Sequence, residues 1–524
     1  MRSRIEKLIL IKYKVMKRLN SSLLSRFSIV LIGLAIYPLL AGCSKDKSES
    51  PPNVIMFVTD DLNNWVNPLG YTQAITPNLD HLAEAGVTFT TAHAPGVFCA
   101  PSRTAIWTGL HASTTGCYSN QVFHYDHPEL LTLQMAFKQK GYNTFGAGKL
   151  YHHRSGYVDL RDWNEYFARS QEVKDMAWEM NGYHMTDVPL PDPYPYSPYY
   201  TETDRGGSSA LHLEWGPIDN AEEDDMVDAM RANWASDVLR REHDKPFFLA
   251  VGMYSPHYPN YAPQKYFDLY NRDSIILPPY MEDDLDDLPA PVRQRMLNRL
   301  KQHQELEKYG ALEDAIHGYL AAVSFADAML GRVLEALDSG PYKDNTIIIF
   351  WSDQGFHHGE KGHWGKHTLW ERTSHVPFIW AGSGIPGNET VETTVSLIDI
   401  YPTLVELCDL SGDGHLEGES LAESLEKPSQ SQERNVFLPH ADRGSYAIIN
   451  MNWRYIQYND GTEEFYNVRE DPNEWYNLAG DEKYDQIILD MKKSLPPEFA
   501  PEATARNDLD LVVDGDFFYW EKRK

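Results

Sequence analysis

The chain has 524 residues, 76 of them acidic and 47 basic, for a formal net charge of −29. That length predicts one large domain or two unequal ones, and a 42% hydrophobic share is ample to fill the core. The acidity argues against nucleic acid or any extended polyanion as a partner, while leaving room for one small positive pocket.

The charge is uneven. Residues 1–42 carry eight Lys/Arg against the single acid Glu6, which leaves −36 on the remaining 482 residues. A basic head followed by the apolar run Ser28 to Leu40 has the layout of an export signal, and it is too short for the about 20 residues that span a bilayer. The run ends in Leu40-Ala41-Gly42-Cys43, which resembles a lipoprotein processing site. Lipidated Cys43 would then anchor the protein to a membrane, at the cell surface or on its periplasmic face. Met16, followed by Lys17 and Arg18, offers an alternative start. Residues 43–52 read as a tether, 53–430 as a catalytic domain and 431–524 as a C-terminal subdomain. The four cysteines are Cys43, Cys99, Cys117 and Cys408, too few for a disulfide framework. Cys117 and Cys408 either pair or stay free.

In chain order, Asn53 to Thr59 is an apolar run that reads as a buried strand and stops at Asp60-Asp61. Thr76-Pro77 opens a helix that Gly86 closes. Tyr142 to Gly148 leads into Lys149 and His152, Pro246 to Met253 into Ser255-Pro256-His257, and Thr346 to Trp351 into Asp353-Gln354. Asp162 to Asp244, dense in Pro, Tyr and acids, reads as a long insertion forming a rim. His317 to Leu337 has helical periodicity. After Ser431 short alternating runs predict a small antiparallel sheet, with Tyr484 to Leu495 as a covering helix. Strands alternating with helices indicate an α/β domain with a mostly parallel sheet, whose ligands sit beyond the carboxyl ends of the strands.

Four of those ends carry chemistry. Asp60 and Asp61 are adjacent carboxylates whose repulsion a hard divalent cation relieves, although alone they also read as a solvated loop pair. Asp353 and Gln354 repeat the arrangement, and all-oxygen donors suit Ca²⁺ or Mg²⁺. Cys99 stands just before a helix whose first turn holds Pro101. It is a buried structural thiol, a thiolate nucleophile lowered by the helix N-terminus, or something else.

The run Cys99-Ala100-Pro101-Ser102-Arg103 with Thr108-Gly109 resembles the signature of the type I sulfatases, of alkaline-phosphatase-like fold. Gly141-Tyr142-Asn143-Thr144 to Gly148-Lys149-Leu150-Tyr151-His152, the two strand-end acid pairs, Ser255-Pro256-His257 and Gly362-His363-Trp364-Gly365-Lys366 resemble further elements of that family, in its order. Asp60-Asp61-Leu62, Thr76 to Asp80 and Phe247 to Gly252 are most similar to the iduronate-2-sulfatase branch. Ser255 departs from it, standing where a lysine tends to precede Pro-His, and Gln354 stands where that branch often has His.

The resemblance implies a sulfuric ester hydrolase in which a maturation enzyme oxidises Cys99 to formylglycine, whose gem-diol is the nucleophile. Asp60, Asp61, Asp353 and Gln354, with the modified residue 99, would hold one Ca²⁺. Arg103 would reach the modified side chain, and Lys149 and Lys366 would neutralise the sulfate. His257 would protonate the leaving sugar oxygen, and His152 would take the diol proton. Trp65, His111, His363, His440 and Arg443 are expected near the sugar. The implied substrate is a sulfated polysaccharide or oligosaccharide, a glycosaminoglycan or an algal glycan such as ulvan or carrageenan, attacked from its end. Two other readings are a phosphonate or phosphate ester hydrolase of the same fold and a non-catalytic glycan-binding lipoprotein.

Overall fold

A computed structural model describes residues 50–152, 163–167, 213–218, 221–412, 414–514 and 517–524. The expected signal segment, Cys43, the tether as far as Glu49, and the Pro/Tyr-rich run from Pro189 to Tyr200 lie outside the described residues. Eight strands form the main sheet: β1 (Asn53–Thr59), β2 (Gly86–Phe89), β3 (Asn143–Gly148), β4 (Glu165–Phe167), β5 (Phe247–Gly252), β6 (Thr346–Ser352), β7 (Phe378–Gly382) and β8 (Glu389–Val391). Their spatial order is β8-β2-β7-β6-β1-β5-β3-β4. Only β7 runs against its neighbours, so the sheet is mostly parallel, as expected.

The strands are apolar on both sides because both faces are covered. On β1, Ile55 and Phe57 enter one hydrophobic cluster while Val54, Met56 and Val58 enter another. The first cluster is completed by helices α1 (Pro77–Glu84), α4 (Val227–Arg240) and α6 (Leu312–Asp338). The second is completed by α2 (Cys99–Thr108) and α3 (Leu133–Lys140), while α5 (Ala290–Tyr309) lies beside α6.

Two expectations need correction. The stretch from Asp162 to Asp244 is not all rim: Ala229, Ala232, Ala235, Val238 and Leu239 of α4 are fully buried against the sheet. Interleaved Asp and Arg residues hid that three-to-four spacing. Gly86 is not the stop of α1, which ends at Glu84, but the first residue of β2. A Cβ there would meet the Trp380 carbonyl oxygen at 2.2 Å, so close approach to β7 demands the glycine.

The C-terminal strands Val436–Pro439, Tyr446–Ile449, Trp453–Gln457 and Glu463–Asn467 pair in sequence as an antiparallel meander. One face is covered by Ile488 and Met491 of the helix Asp485–Met491. The other shares a core with Val97, Phe98 and Ala100, the residues flanking Cys99. Residues 50–524 form one compact unit. Among the described residues no helix is long and apolar enough to cross a membrane.

Candidate active site

β6, β1, β5 and β3 are sheet neighbours, parallel and in register: Thr59 opposes Ser352, Val58 opposes Gly252, and Gly252 opposes Gly148. With strands about 4.8 Å apart, the residues that follow emerge side by side at one sheet edge. Gly148, at φ +69°, allows the crossing, since a Cβ would stand 2.0 Å from the Gly252 carbonyl oxygen. Asp61 adopts φ +63°, and its backbone N–H donates to Asp353 Oδ1 at 3.2 Å. Such a conformation in a non-glycine residue costs energy and marks a position held by its surroundings.

Cys99 is the first residue of α2, whose ten residues are all buried. Its Sγ lies 3.4 Å from Asp60 Oδ1, and three donors converge on it: Lys366 Nζ at 3.3 Å, Gln354 Nε2 at 3.6 Å and Lys149 Nζ at 3.7 Å. Burial and then the Asp60 carboxylate push the thiol up to about 12, against the pull of the two lysines. A thiol held this far above its usual range weighs against the thiolate-nucleophile reading.

Lys149 pairs with Asp60 Oδ2, and Lys366 Nζ is 2.6 Å from Asp61 Oδ1. Arg103 donates from Nε to Asp353 Oδ2 at 2.6 Å and from NH1 to the Lys149 carbonyl, and lies 3.8 Å from Asp60. It braces acids and a lysine rather than contacting the sulfur. Burial drives the Asp61 and Asp353 carboxyls up, the latter to about 7, while at Asp60 the same burial is outweighed by Lys149, His257 and Arg103. His257 Nε2 stands 3.7 Å from Asp61 Oδ2, and its Nδ1 donates to the Tyr258 carbonyl. Burial, then Lys149 and Lys366, lower the imidazole pKa well below its usual value, so it rests neutral with the Nε2 lone pair facing the site.

Ligand atoms of Asp60, Asp61, Cys99 and His257 all lie within 4.8 Å of one another. Asp61 Oδ2 and Gln354 Oε1 are buried with no hydrogen-bond partner. Orphaned hard oxygens beside carboxyls that burial has made reluctant to ionise fit a divalent cation of the Ca²⁺ or Mg²⁺ kind.

The sulfatase family model matches residues 52–410. The chain belongs to the sulfatase family. A second model, the C-terminal part of N-sulphoglucosamine sulphohydrolase, matches residues 359–499. A sulfatase of Formosa agariphila is 37% identical over 86% of this chain and 87% of its own length. Human iduronate 2-sulfatase is 29% identical over 68% and 69% respectively. Among solved structures, one in complex with its substrate D-glucosamine-2-N,6-O-disulfate superposes with a TM-score of 0.64 at 20% identity, covering 85% of this chain and 96% of its own. The phosphonate monoester hydrolase of Agrobacterium radiobacter does so with 0.65 at 19%, covering 90% and 100%. These two likenesses show the fold, which is alkaline-phosphatase-like. This sulfatase is a sulfuric ester hydrolase.

The outlying expectations fall in different places. His152 stands edge-on to Phe98, the residue before Cys99, with ring centroids 6.0 Å apart. Trp65 is in the core, stacked on Tyr71 at 4.7 Å and 2% exposed, rather than at an open rim. His111 packs edge-on against Phe437 with its backbone N–H on Glu417. His363 is buried and accepts from Arg299 NH1 at 3.1 Å, so it braces the segment that carries Lys366 rather than lying free for a sugar. His440 meets the His367 carbonyl oxygen at 3.2 Å. Arg443 donates to the Phe499 carbonyl and borders a surface groove of Gln457, Tyr458 and Asn459. Cys117 and Cys408 are both free and buried.

Sequence reasoning missed Asp228. Its buried carboxylate accepts the backbone N–H groups of Tyr254 and Ser255 at 2.9–3.0 Å and pairs with Arg231 at 2.6 Å. It therefore holds the turn that presents His257. An acid and an arginine three apart on a helix of small apolar residues was the signal available.

Proposed function

We propose that this sulfatase removes ester sulfate from sulfated sugars, with Cys99 oxidised to formylglycine by a maturation enzyme and Ca²⁺ held by Asp60, Asp61, Asp353 and Gln354. The observation that carries the reading is the site around Cys99 Sγ: three donors converge on a group too buried to act as a thiolate. The sulfur stands in for the oxygens of the modified side chain. When present, the modified residue 99 would supply an attacking hydroxyl and the cation held by Asp60, Asp61, Asp353 and Gln354 would supply Lewis-acid charge stabilisation.

The chain's own residues do the rest. Lys149 and Lys366 offset the charge on the sulfuryl oxygens. Arg103 keeps Asp353, Asp60 and the Lys149 carbonyl in register. An anionic substrate raises the proton affinity of His257, whose Nε2 then delivers a proton to the departing sugar oxygen. His152 takes the proton whose loss returns residue 99 to its resting state.

Sulfated sugar as substrate is supported by the iduronate 2-sulfatase relative and by the structural neighbour bound to a sulfated glucosamine. An acidic body around one positive site favours chain ends and short oligosaccharides over long polyanions. Equal rates on intact polymer and its oligosaccharides would count against end-on attack. Export and anchoring through lipidated Cys43 belong to the same reading, and a Cys43→Ser protein that stays with the membrane fraction would remove the anchor from it.

Mass spectrometry of the peptide holding residue 99, after expression with a maturation enzyme, tests the nucleophile; an unmodified thiol in active protein sinks it. Because the fold is shared with a phosphonate hydrolase, aryl sulfate must also be turned over faster than aryl phosphonate.

A further inference from the structure

Among the described residues, the arginines buried most deeply in this body each have a carboxylate. Arg103 has Asp353, Arg231 has Asp228, Arg332 has Glu223, Arg372 has Glu360, Arg434 has Asp399 and Arg454 has Glu371. Arg299, half-buried on α5, has none among the described residues, and unlike Arg506, which lies over the Trp520 ring, it sits beside the active-site segment. Its NH1 donates to two neutral acceptors, His363 Nε2 and the Lys366 carbonyl, both at 3.1 Å. Burial and then Arg295, one helical turn earlier, lower its pKa, and no acid raises it. Arg295 itself leans 3.9 Å from Asp442 and over the Tyr458 ring. An unpaired, partly desolvated guanidinium is costly, and more conspicuous in a body of this acidity.

Its position gives the charge a use. Arg299 holds the carbonyl of the residue whose ammonium group lies 3.3 Å from Cys99 Sγ, so it sits one lysine side chain from the sulfate position. On the other side, position 255, two residues before His257, is a serine and adds no cation to Lys149 and Lys366. A sugar carrying a second negative group therefore finds its free counter-charge on the Lys366 side.

We propose that Arg299 anchors a second anion subsite, taking a carboxylate or a further sulfate on the sugar whose ester is cleaved. The proposal rests on the sulfatase reading above. The guanidinium keeps Nε and NH2 for a planar, two-point contact that suits either group. The subsite selects doubly anionic sugars over neutral sulfate esters.

The test compares the matured wild-type enzyme with R299Q and R299K on four esters: an aryl sulfate, a sugar monosulfate, a sulfated uronic acid and a disulfated sugar. R299Q keeps a donor for His363 and the Lys366 carbonyl but removes the charge. A charged hydrogen bond predicts a loss in kcat/KM of about 10- to 100-fold on doubly anionic sugars, mostly in KM, with R299K retaining part of it. Aryl sulfate and monosulfate should change by less than about twofold, since they make no use of the charge. Loss confined to the uronate assigns a carboxylate, and loss confined to the disulfate assigns a sulfate. Equal loss on all four, or none, overturns the subsite. A matured wild-type enzyme that cleaves no sulfate ester overturns the sulfatase reading instead.

Discussion

The two sides of the active site are built by different means. Asp60, Asp61, Asp353, Gln354 and Lys149 follow directly from adjacent, in-register strands, so the sheet's hydrogen bonding places them. Lys366 comes from a segment, residues 359–375, whose elements are only two to four residues long and lie outside the main sheet. That segment is held by buried charge instead. Arg454, fully buried, pairs with Glu371 and lies 2.8 Å from Glu474, and Lys361 pairs with Asp284 at 2.8 Å. Glu464 accepts from Trp370, Tyr458 and Tyr466. The backbone defines one side regardless of most substitutions, while the other depends on a few long-range ion pairs between the C-terminal strands and the loop.

The largest effect should come from the strand-end side and leave the fold intact. Cys99→Ala should lower activity at least about 10⁴-fold by removing the nucleophile's precursor. Its melting temperature should stay within a few degrees of wild type by calorimetry, because no ion pair is broken. A large fall in melting temperature would show that the strand-end side also depends on that side chain.

Arg454→Met should do the reverse. It strands Glu474 in a dry interior and leaves Glu371 only its His375 pair, which costs about 3–5 kcal/mol for a broken buried pair. Urea unfolding should report that loss, and turnover should fall as Lys366 loosens. Unchanged stability would mean that the loop is held by packing alone.

This contrast explains what was legible in the sequence. Apolar strands ending in Asp, Lys or His are local patterns, and the parallel α/β reading put their ends together, so Asp60, Asp61, Lys149 and Asp353 were found. Arg299, Asp228 and the Arg454 network were not, because the groups they hold in place are 20 to 83 residues away, beyond the reach of a local period. Trp65 misled for a related reason. An aromatic six residues after a strand end looks available for a sugar, yet Tyr71 and Tyr319 close over it.

Asp228→Asn sharpens the comparison, since Asp228 supports a strand-end loop through side-chain bonds. The Tyr254 and Ser255 N–H groups lose a charged acceptor, so His257 should drift. General-acid help then weakens by about tenfold in kcat for sugar esters, whose leaving oxygen needs the proton. An aryl ester with a good leaving group should be nearly unaffected. Equal losses on both would place Asp228 in general stability rather than in the aim of His257.

The smallest effect is a pH signature of the loop side. Burial pushes Asp284 from an ordinary 3.8 to about 6, against the pull of Lys361. A carboxyl whose pKa is raised on folding binds more protons folded than unfolded between those values. Its contribution is therefore present below about pH 4 and is lost as pH rises through about 6. The shift of roughly two units caps the loss at about 3 kcal/mol. Unfolding free energies measured at pH 4 and 6.5 should show this decline in wild type and a smaller one in Asp284→Asn. Asp61 and Asp353, also raised, add a slope of the same sign that calcium should flatten, by favouring their ionised forms, while leaving the Asp284 portion in place. A decline that calcium abolishes entirely would assign all of it to Asp61 and Asp353 and none to the loop.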